Sequence, residues 1–237
     1  MKTIFHKSSE RGFADHGWLK ARHSFSFANY QNSEKMHFGK MRVLNDDIVA
    51  PSRGFDEHPH QDMEIITIPL SGNLKHNDNI GNEGIIKAGE VQVMSAGTGV
   101  YHSEFNASDN EDLNLFQIWI FTDKRGHEPR YGQKRFSVEG RTNKWQLFVS
   151  PDERNGSLSI HQNAFISQID AGDLAQIDYD LHDKNNGVYF MLIEGEISCE
   201  GQVLEKRDAA GFWEIESPLG IHFNSPSKLL AVEVPMQ

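Results

Sequence analysis

Short apolar segments alternate with turn-forming residues through the middle of the chain. Between Ile65 and Phe121 the apolar segments are separated by Ser71-Gly72-Asn73, by Asn79-Ile80-Gly81-Asn82 and by Lys87-Ala88-Gly89-Glu90. Glycine and asparagine favour tight turns, so the segments between them are predicted to be short β-strands. This spacing is typical of a β-sandwich or β-barrel rather than of helices that alternate with parallel strands.

The same arrangement recurs in weaker form in the second half of the chain. Leu70-Ser71-Gly72-Asn73-Leu74 has a counterpart in Ile193-Glu194-Gly195-Glu196-Ile197, and Leu115–Ile120 has one in Leu229–Val234. The polar segment at residues 122–142 indicates a connection between the two copies. We therefore predict two barrels built on one plan, with a first domain over residues 1–135 and a second over residues 136–237.

Two histidines in the first half have the spacing of ligands on one face of a strand. His58 and His60 lie two positions apart, so in an extended strand both side chains point to the same side. Pro59 favours the extended conformation that this geometry requires. Glu64 has the same parity. We therefore expect two imidazoles and a carboxylate on one face, which is half of a plausible metal site.

A second stretch supplies the other half of this site. His102 and Glu104 also share parity, and Gly97 and Gly99 before them suit a tight turn that leads a strand into the interior of the barrel. His58 and His102 would then meet inside the barrel, with Glu64 and Glu104 as alternatives for a carboxylate ligand.

The two motifs, Gly-x3-His-x-His-x3-Glu and Gly-x2-His-x3-Asn, resemble the double motif of the cupin superfamily. Further segments resemble the pirin family of bicupin proteins, and in particular the bacterial pirin-like quercetin 2,3-dioxygenases. The segments that carry this resemblance are Arg11–Trp18, His23–Phe27, Met41–Asp47, Met94–Gly99 and Gln117–Ile120.

This resemblance implies an all-β fold of two cupin-type β-barrels, with a metal site in the N-terminal barrel. Pirins take the fourth ligand from the second motif, whereas other cupins use the acid of the first. The resemblance therefore assigns the metal to His58, His60, His102 and Glu104. Glu64 is then expected to orient a ligating imidazole or to exchange with Glu104. Both carboxylates are candidate catalytic bases.

The second half lacks this ligand set. When the two halves are aligned on their repeated glycines, Leu181 and Asp183 take the places of the two histidines of the first motif. His182 then lies on the opposite face, because a shift of one residue reverses the direction of every side chain. His222 stands near the place of the second-motif histidine, but Asn224 replaces the acid. We expect a degenerate C-terminal barrel and one divalent metal per chain.

Three neutral imidazoles and one carboxylate suit Fe(II), Mn, Ni, Cu or Zn, and the resemblance to pirins points to Fe(II). Four protein ligands leave coordination positions open on a six-coordinate ion, which fits redox or Lewis-acid chemistry. A substrate pocket is predicted beside the metal. Its candidate residues are His23 and Phe25, together with Gln117 and Trp119, which share a face of one strand.

The composition limits the classes of partner that the protein can bind. The formal net charge of −11 and the pI near 5.5 argue against direct binding to nucleic acid or to anionic membranes. Cys199 is the single cysteine, which excludes an intrachain disulfide and a thiolate zinc site. The sequence also has no apolar run that suits a signal peptide or a bilayer span. We expect a cytoplasmic protein, most simply a monomer.

Two classes of function follow from these features. The first is a metal-dependent dioxygenase that acts on a flavonol or related phenolic substrate such as quercetin, as the resemblance implies. The alternative is a metal-binding regulatory protein that contacts other proteins, or another cupin enzyme. An apolar cavity that opens on the metal site favours an enzyme, whereas a sealed site favours a regulatory role.

Overall fold

The computed structural model describes residues 1–172 and 175–237, and its regular structure is almost entirely β. Short 3-10 helices occupy Ser8–Glu10 and Arg154–Gly156. No helix in the described ranges is long and apolar enough to cross a membrane. The strands are β1 (Lys2–His6), β2 (Gly12–Asp15), β3 (Leu19–His23), β4 (Met41–Val49), β5 (Gly54–His60), β6 (Met63–Ser71), β7 (Asn73–Asp78), β8 (Glu83–Lys87), β9 (Glu90–Ser95), β10 (Val100–Asn106), β11 (Leu113–Phe121), β12 (Arg130–Arg135), β13 (Gln146–Ser150), β14 (Leu158–Ser159), β15 (Phe165–Ala171), β16 (Gln176–Tyr179), β17 (Asn186–Glu194), β18 (Glu196–Cys199), β19 (Gln202–Glu205), β20 (Ala209–Trp213), β21 (Leu219–Phe223) and β22 (Ser227–Pro235).

These strands form four sheets that repeat one topology twice. The first barrel combines a seven-stranded sheet in the order β12-β9-β6-β11-β4-β3-β2 with a four-stranded sheet in the order β5-β10-β7-β8. The second barrel combines the orders β1-β20-β17-β22-β15-β13-β14 and β16-β21-β18-β19. The two sets of orders correspond strand by strand. The prediction of an all-β protein with two barrels on one plan is confirmed.

The first strand of the chain crosses to the second barrel. β1 pairs with β20, and β12 occupies the same edge position on β9 of the first barrel. Residues 2–6 therefore lie in the second barrel's sheet, although the sequence placed all of residues 1–135 in the first domain. The boundary near residue 135 stays a prediction.

The two seven-stranded sheets share one apolar core. On β11, Phe116, Ile118 and Ile120 are fully buried in a cluster that includes Met191 of β17 and Val232 of β22. The alternate residues of β11 point into the first barrel. Because both faces of the central strands are buried, these strands have nearly continuous apolar sequences rather than a simple alternation of apolar and polar residues.

The interior of the second barrel is packed with apolar side chains. Phe190, Leu192 and Phe212 belong to the buried cluster that fills it. His182 lies in a segment outside the strands, so the alternation predicted around it does not apply. Its Nδ1 atom lies 3.1 Å from Glu233 Oε2 and its ring stacks on Phe165.

His222 lies on β21 and is exposed, between two buried neighbours. Its side chain therefore points away from the interior of the second barrel. The expectation that the second barrel binds no metal stays a prediction.

We expect Phe116→Ala to lower the free energy of unfolding by about 3–5 kcal/mol, because it removes a fully buried ring from the core that both barrels share. Phe121→Ala is the matched control on the same strand. Phe121 is 38% exposed, and its replacement should cost less than about 1 kcal/mol. Urea unfolding followed by fluorescence and circular dichroism measures both effects. Equal losses in the two variants would contradict a shared core.

Candidate metal centre

Three imidazoles meet where β5 and β10 pair in the first barrel. His102 lies directly opposite His58 in the antiparallel register, and their Nε2 atoms are 3.1 Å apart. The ring centroid of His60 is 4.9 Å from that of each of the other two. One ligand-type nitrogen from each residue lies within 4.8 Å of the others. The structure thus brings together the three predicted nitrogen ligands, while their binding of a metal stays a prediction.

A break in the register between β5 and β10 shapes this cluster. His102 pairs with His58 and Glu104 with Phe55, so β5 carries one extra residue between these pairs. This bulge turns Phe55 towards the same cavity as His58, although strict alternation would place the two on opposite faces. Gly54 lies so close to the backbone of Glu104 that a Cβ atom at that position would clash.

Glu104 is buried beside the imidazoles and is held by a chain of hydrogen bonds. Gln117 Nε2 donates to Glu104 Oε2 at 2.7 Å, and Trp119 Nε1 donates to Gln117 Oε1 at 3.1 Å. The Oε1 atom of Glu104 is buried and has no hydrogen-bond partner within the described residues. Glu104 groups most closely with His102 and His76, whose ligand-type atoms lie within 4.8 Å.

His76 and Asp78 are part of this centre, although the sequence analysis did not select them. His76 is fully buried, and its ring nitrogen Nε2 lies 3.0 Å from Asp78 Oδ2. Burial opposes the ionisation of Asp78, but hydrogen bonds from His76 and Asn82 outweigh this effect and lower its pKa. The alternation of Leu74, His76 and Asp78 along β7 is the sequence signal that could have identified them. These three buried residues share one face of β7, and β7 pairs with β10.

Glu64 does not join the cluster. β5 ends at His60, Asp62 adopts a left-handed conformation with a φ of +49°, and β6 then begins with a new orientation. Glu64 therefore faces the second barrel, where Ser95 Oγ donates to its Oε2 at 2.6 Å and His161 Nδ1 lies 3.3 Å from its Oε1. The prediction that Glu64 shares a face with the two histidines is wrong, because parity does not carry across a strand end.

His60, which is half-buried, and His102, which is buried, are suited to be neutral, ligating imidazoles. Burial, reinforced by His102 and His58, lowers the pKa of His60 to about 4. Burial, with His58 and His76 nearby, lowers the pKa of His102 to about 3. Both rings are therefore uncharged at neutral pH, and their lone pairs are available to a cation.

The unpartnered atoms of the cluster fit a bound metal. His60 Nε2 and Glu104 Oε1 are both buried without a partner in the described part of the chain. Each such atom costs about 1–3 kcal/mol in the folded state unless something completes its bonding. Imidazole nitrogen and carboxylate oxygen are both donors that suit a divalent cation, which would supply the missing partners.

An open cavity of about 260 Å³ adjoins the cluster. Its walls include His58 and Glu104, together with His23, Gln117 and Trp119. Three of the four predicted pocket residues therefore line it.

Phe25 is not one of the cavity residues, and the prediction for it is wrong. β3 ends at His23, and Phe25 turns into the core between the barrels, with its ring centroid 5.6 Å from that of Tyr189. Phe27 lines the cavity instead, and its ring centroid is 5.3 Å from that of His23.

The cavity continues towards the surface through a second space of about 480 Å³. The two spaces share lining residues, among them His23, Phe27 and Phe55. The outer one adds Trp18 and Tyr30. The path from the surface to the imidazole cluster is thus bordered by aromatic rings, which suits an apolar, planar ligand.

Comparisons with known proteins place this architecture in a family. The family model described as Pirin matches residues 5–120, and the one described as Quercetinase C-terminal cupin domain matches residues 147–234. A protein of Escherichia coli (strain K12) named quercetin 2,3-dioxygenase is 41% identical over 232 residues, with 97% of each chain covered. A pirin-like protein of Caulobacter vibrioides is 42% identical over 203 residues, which cover 84% of this chain and 86% of that protein.

Solved structures agree with this result. The crystal structure of the bacterial pirin YhhW from Escherichia coli in complex with nickel(II) matches with a TM-score of 0.93 and 39% identity, and 99% of both chains is covered. The two barrels, the imidazole cluster and the extent of these matches lead to one conclusion. This chain belongs to the pirin family.

Proposed function

We propose that this protein is a metal-dependent dioxygenase that acts on a flavonol such as quercetin, with Fe(II) as its metal. The observation that carries this proposal is the aromatic-walled cavity that reaches His58 and Glu104. A structural metal site is closed by protein ligands, and a regulatory site would not need a path of this kind. The Escherichia coli relative named quercetin 2,3-dioxygenase supports the substrate class.

His58, His60, His102 and Glu104 would hold the metal. A bound redox-active metal supplies a route for dioxygen to react with a closed-shell phenolic compound. The resemblance to pirins implies iron. Nickel is the alternative, because the crystal structure of the Escherichia coli pirin is a complex with nickel(II). We take Glu104 as the carboxylate because Glu64 lies on the other face of its sheet and contacts His161.

The residues around Glu104 prepare it for this role. Gln117 engages one carboxylate oxygen and is itself fixed by Trp119, so the carboxylate cannot rotate freely. The other oxygen is left free to coordinate a metal or to accept the proton of a substrate hydroxyl group. Phe27, Phe55 and the ring of Trp119 would contact the faces of a planar substrate and exclude water from it.

Metal content tests the ligand set. We expect His60→Ala and His102→Ala to lose the bound metal, and Glu104→Ala to bind it at least about tenfold more weakly. Glu64→Ala should retain full metal content because Glu64 is outside the cluster. Elemental analysis after equilibrium dialysis, with circular dichroism as the folding control, measures this. Full retention in Glu104→Ala together with loss in Glu64→Ala would reverse the choice of carboxylate.

Metal substitution tests the reaction. The iron-loaded protein should consume oxygen in the presence of quercetin, because triplet oxygen reacts slowly with closed-shell phenols without a redox-active metal. The zinc-substituted protein should bind quercetin and show little oxygen uptake. An oxygen electrode and fluorescence titration measure the two properties. The proposed function is falsified if the iron-loaded protein binds no flavonol and takes up no oxygen across a broad phenolic panel.

His23 tests the position of the substrate. It lies where the inner and outer spaces join, and its ring nitrogen Nδ1 is 2.9 Å from Asn45 Oδ1. We expect His23→Ala to raise KM for quercetin several-fold while metal content stays at the wild-type level. His222→Ala, an exposed histidine of the second barrel, is the control. Loss of metal in His23→Ala would place this residue in the ligand set instead.

A further inference from the structure

Asp47 is a buried acid in the wall of the inner cavity. The residue is only 5% exposed, and its Oδ1 atom has no hydrogen-bond partner in the described part of the chain. Its cross-strand neighbours are Ala21 on β3 and Leu115 on β11, which offer no polar group. Asp47 nevertheless borders the same cavity as His58 and Glu104.

This arrangement is not explained by the stability of the protein. Burial of an unpartnered carboxyl group destabilises the folded state, and such a group is normally paired or replaced by an apolar one. The neighbouring acid, Asp46, faces the other way and is well paired, with Arg11 at 3.6 Å, Arg207 at 3.4 Å and Asn114 Nδ2 at 2.9 Å. The cavity is the remaining direction from which a partner for Asp47 can come.

The register of the sheet locates Asp47 relative to the metal cluster. Asn45 lies opposite Gln117, whose side chain holds Glu104, and Asp47 lies two residues further along β4 on the same face. Two residues of a strand span about 7 Å. An aromatic ligand with one oxygen at Glu104 and His58 can therefore reach Asp47 with a second polar group, if the two groups are separated by roughly one ring system.

We propose that Asp47 is a substrate-recognition residue that hydrogen-bonds a second hydroxyl group of an aromatic substrate, one distant from the oxygen that faces the metal cluster. The proposal rests on the proposed function, because it assumes a phenolic ligand in this cavity. It adds that the protein selects polyhydroxylated over singly hydroxylated aromatic compounds.

The surroundings of Asp47 favour a hydroxyl group over a charged group. Burial, together with Asp46 and Glu104, raises the pKa of Asp47 to about 8, against the opposing effect of Arg11. A neutral carboxyl group both donates and accepts a hydrogen bond, which matches a phenolic hydroxyl. A substrate carboxylate would meet the negative charge of Glu104, and the largely apolar walls disfavour a charged amine.

Binding of two flavonols to the wild type and to variants tests this recognition. The probes are quercetin and 3-hydroxyflavone, which lacks the additional hydroxyl groups, titrated into iron-loaded protein under argon so that no turnover occurs. The wild type should bind quercetin about 10- to 100-fold more tightly than 3-hydroxyflavone. Asp47→Ala should lose most of this preference and bind 3-hydroxyflavone as well as the wild type does. Asp47→Asn, which keeps hydrogen-bonding groups, should restore part of it.

Asp46→Asn is the matched control, because it changes the same residue type on the opposite face of the same strand. It should lower the thermal midpoint of unfolding and keep the preference for quercetin. Asp47→Ala should not lower the midpoint of the unliganded protein, since it removes an unpartnered buried group. If Asp47→Ala does not fold, Asp47→Leu, which preserves more of the side-chain volume, takes its place.

The outcomes separate the two proposals. If the wild type turns over quercetin and folded Asp47 variants keep its full preference for quercetin, the recognition role is overturned and the proposed function stands. If the wild type binds both probes equally, the recognition role is also overturned. If the wild type binds neither probe and consumes no oxygen, both proposals fall. Loss of the preference in Asp47→Ala with metal content unchanged supports the role.

Discussion

The burial of candidate ligand atoms without partners inside a β-barrel is the constraint on which the rest of this structure depends. His60 Nε2 and Glu104 Oε1 are held in the interior without a protein partner. The pairing of β5 with β10 fixes the backbone positions from which these side chains project. Burial keeps His60 and His102 neutral, which removes the repulsion that three charged imidazoles would create. The strands that form the barrel thus also bring the candidate ligand atoms together.

The second barrel contributes apolar packing, which offsets the cost of burying polar atoms without partners. It repeats the topology of the first but fills its interior with apolar side chains such as Phe190 and Phe212. Its seven-stranded sheet also buries the outer face of the first barrel's sheet. Glu64 on β6 and His161 form a contact between the two barrels. The ring of His161 also stacks on that of His127, with their centroids 3.8 Å apart. One barrel therefore holds the imidazole cluster, and the interior of the other is filled with apolar side chains.

The aromatic-rich N-terminal segment gives the site its access path. Trp18, Phe27 and Tyr30 border the outer space, and Trp119 lines the inner cavity with its ring centroid 4.9 Å from that of His60. The same Trp119 positions Gln117 and, through it, Glu104. Two side chains of β11 therefore line the cavity and also hold Glu104 in place.

The sequence by itself determined the short strands between Ile65 and Phe121, the plan of two similar barrels and the shared face of His58 and His60, because alternation within one strand is a local property. The pairing of β5 with β10 then brought His102 to these two histidines. Only the tertiary structure decided which way Glu64 and Phe25 point, since each follows a strand end that resets the alternation. The same holds for His76 and Asp47, which became site residues through pairing with strands distant in the sequence. The crossing of β1 to the second barrel was likewise invisible, because an edge strand's pattern does not specify which of two equivalent edges it joins.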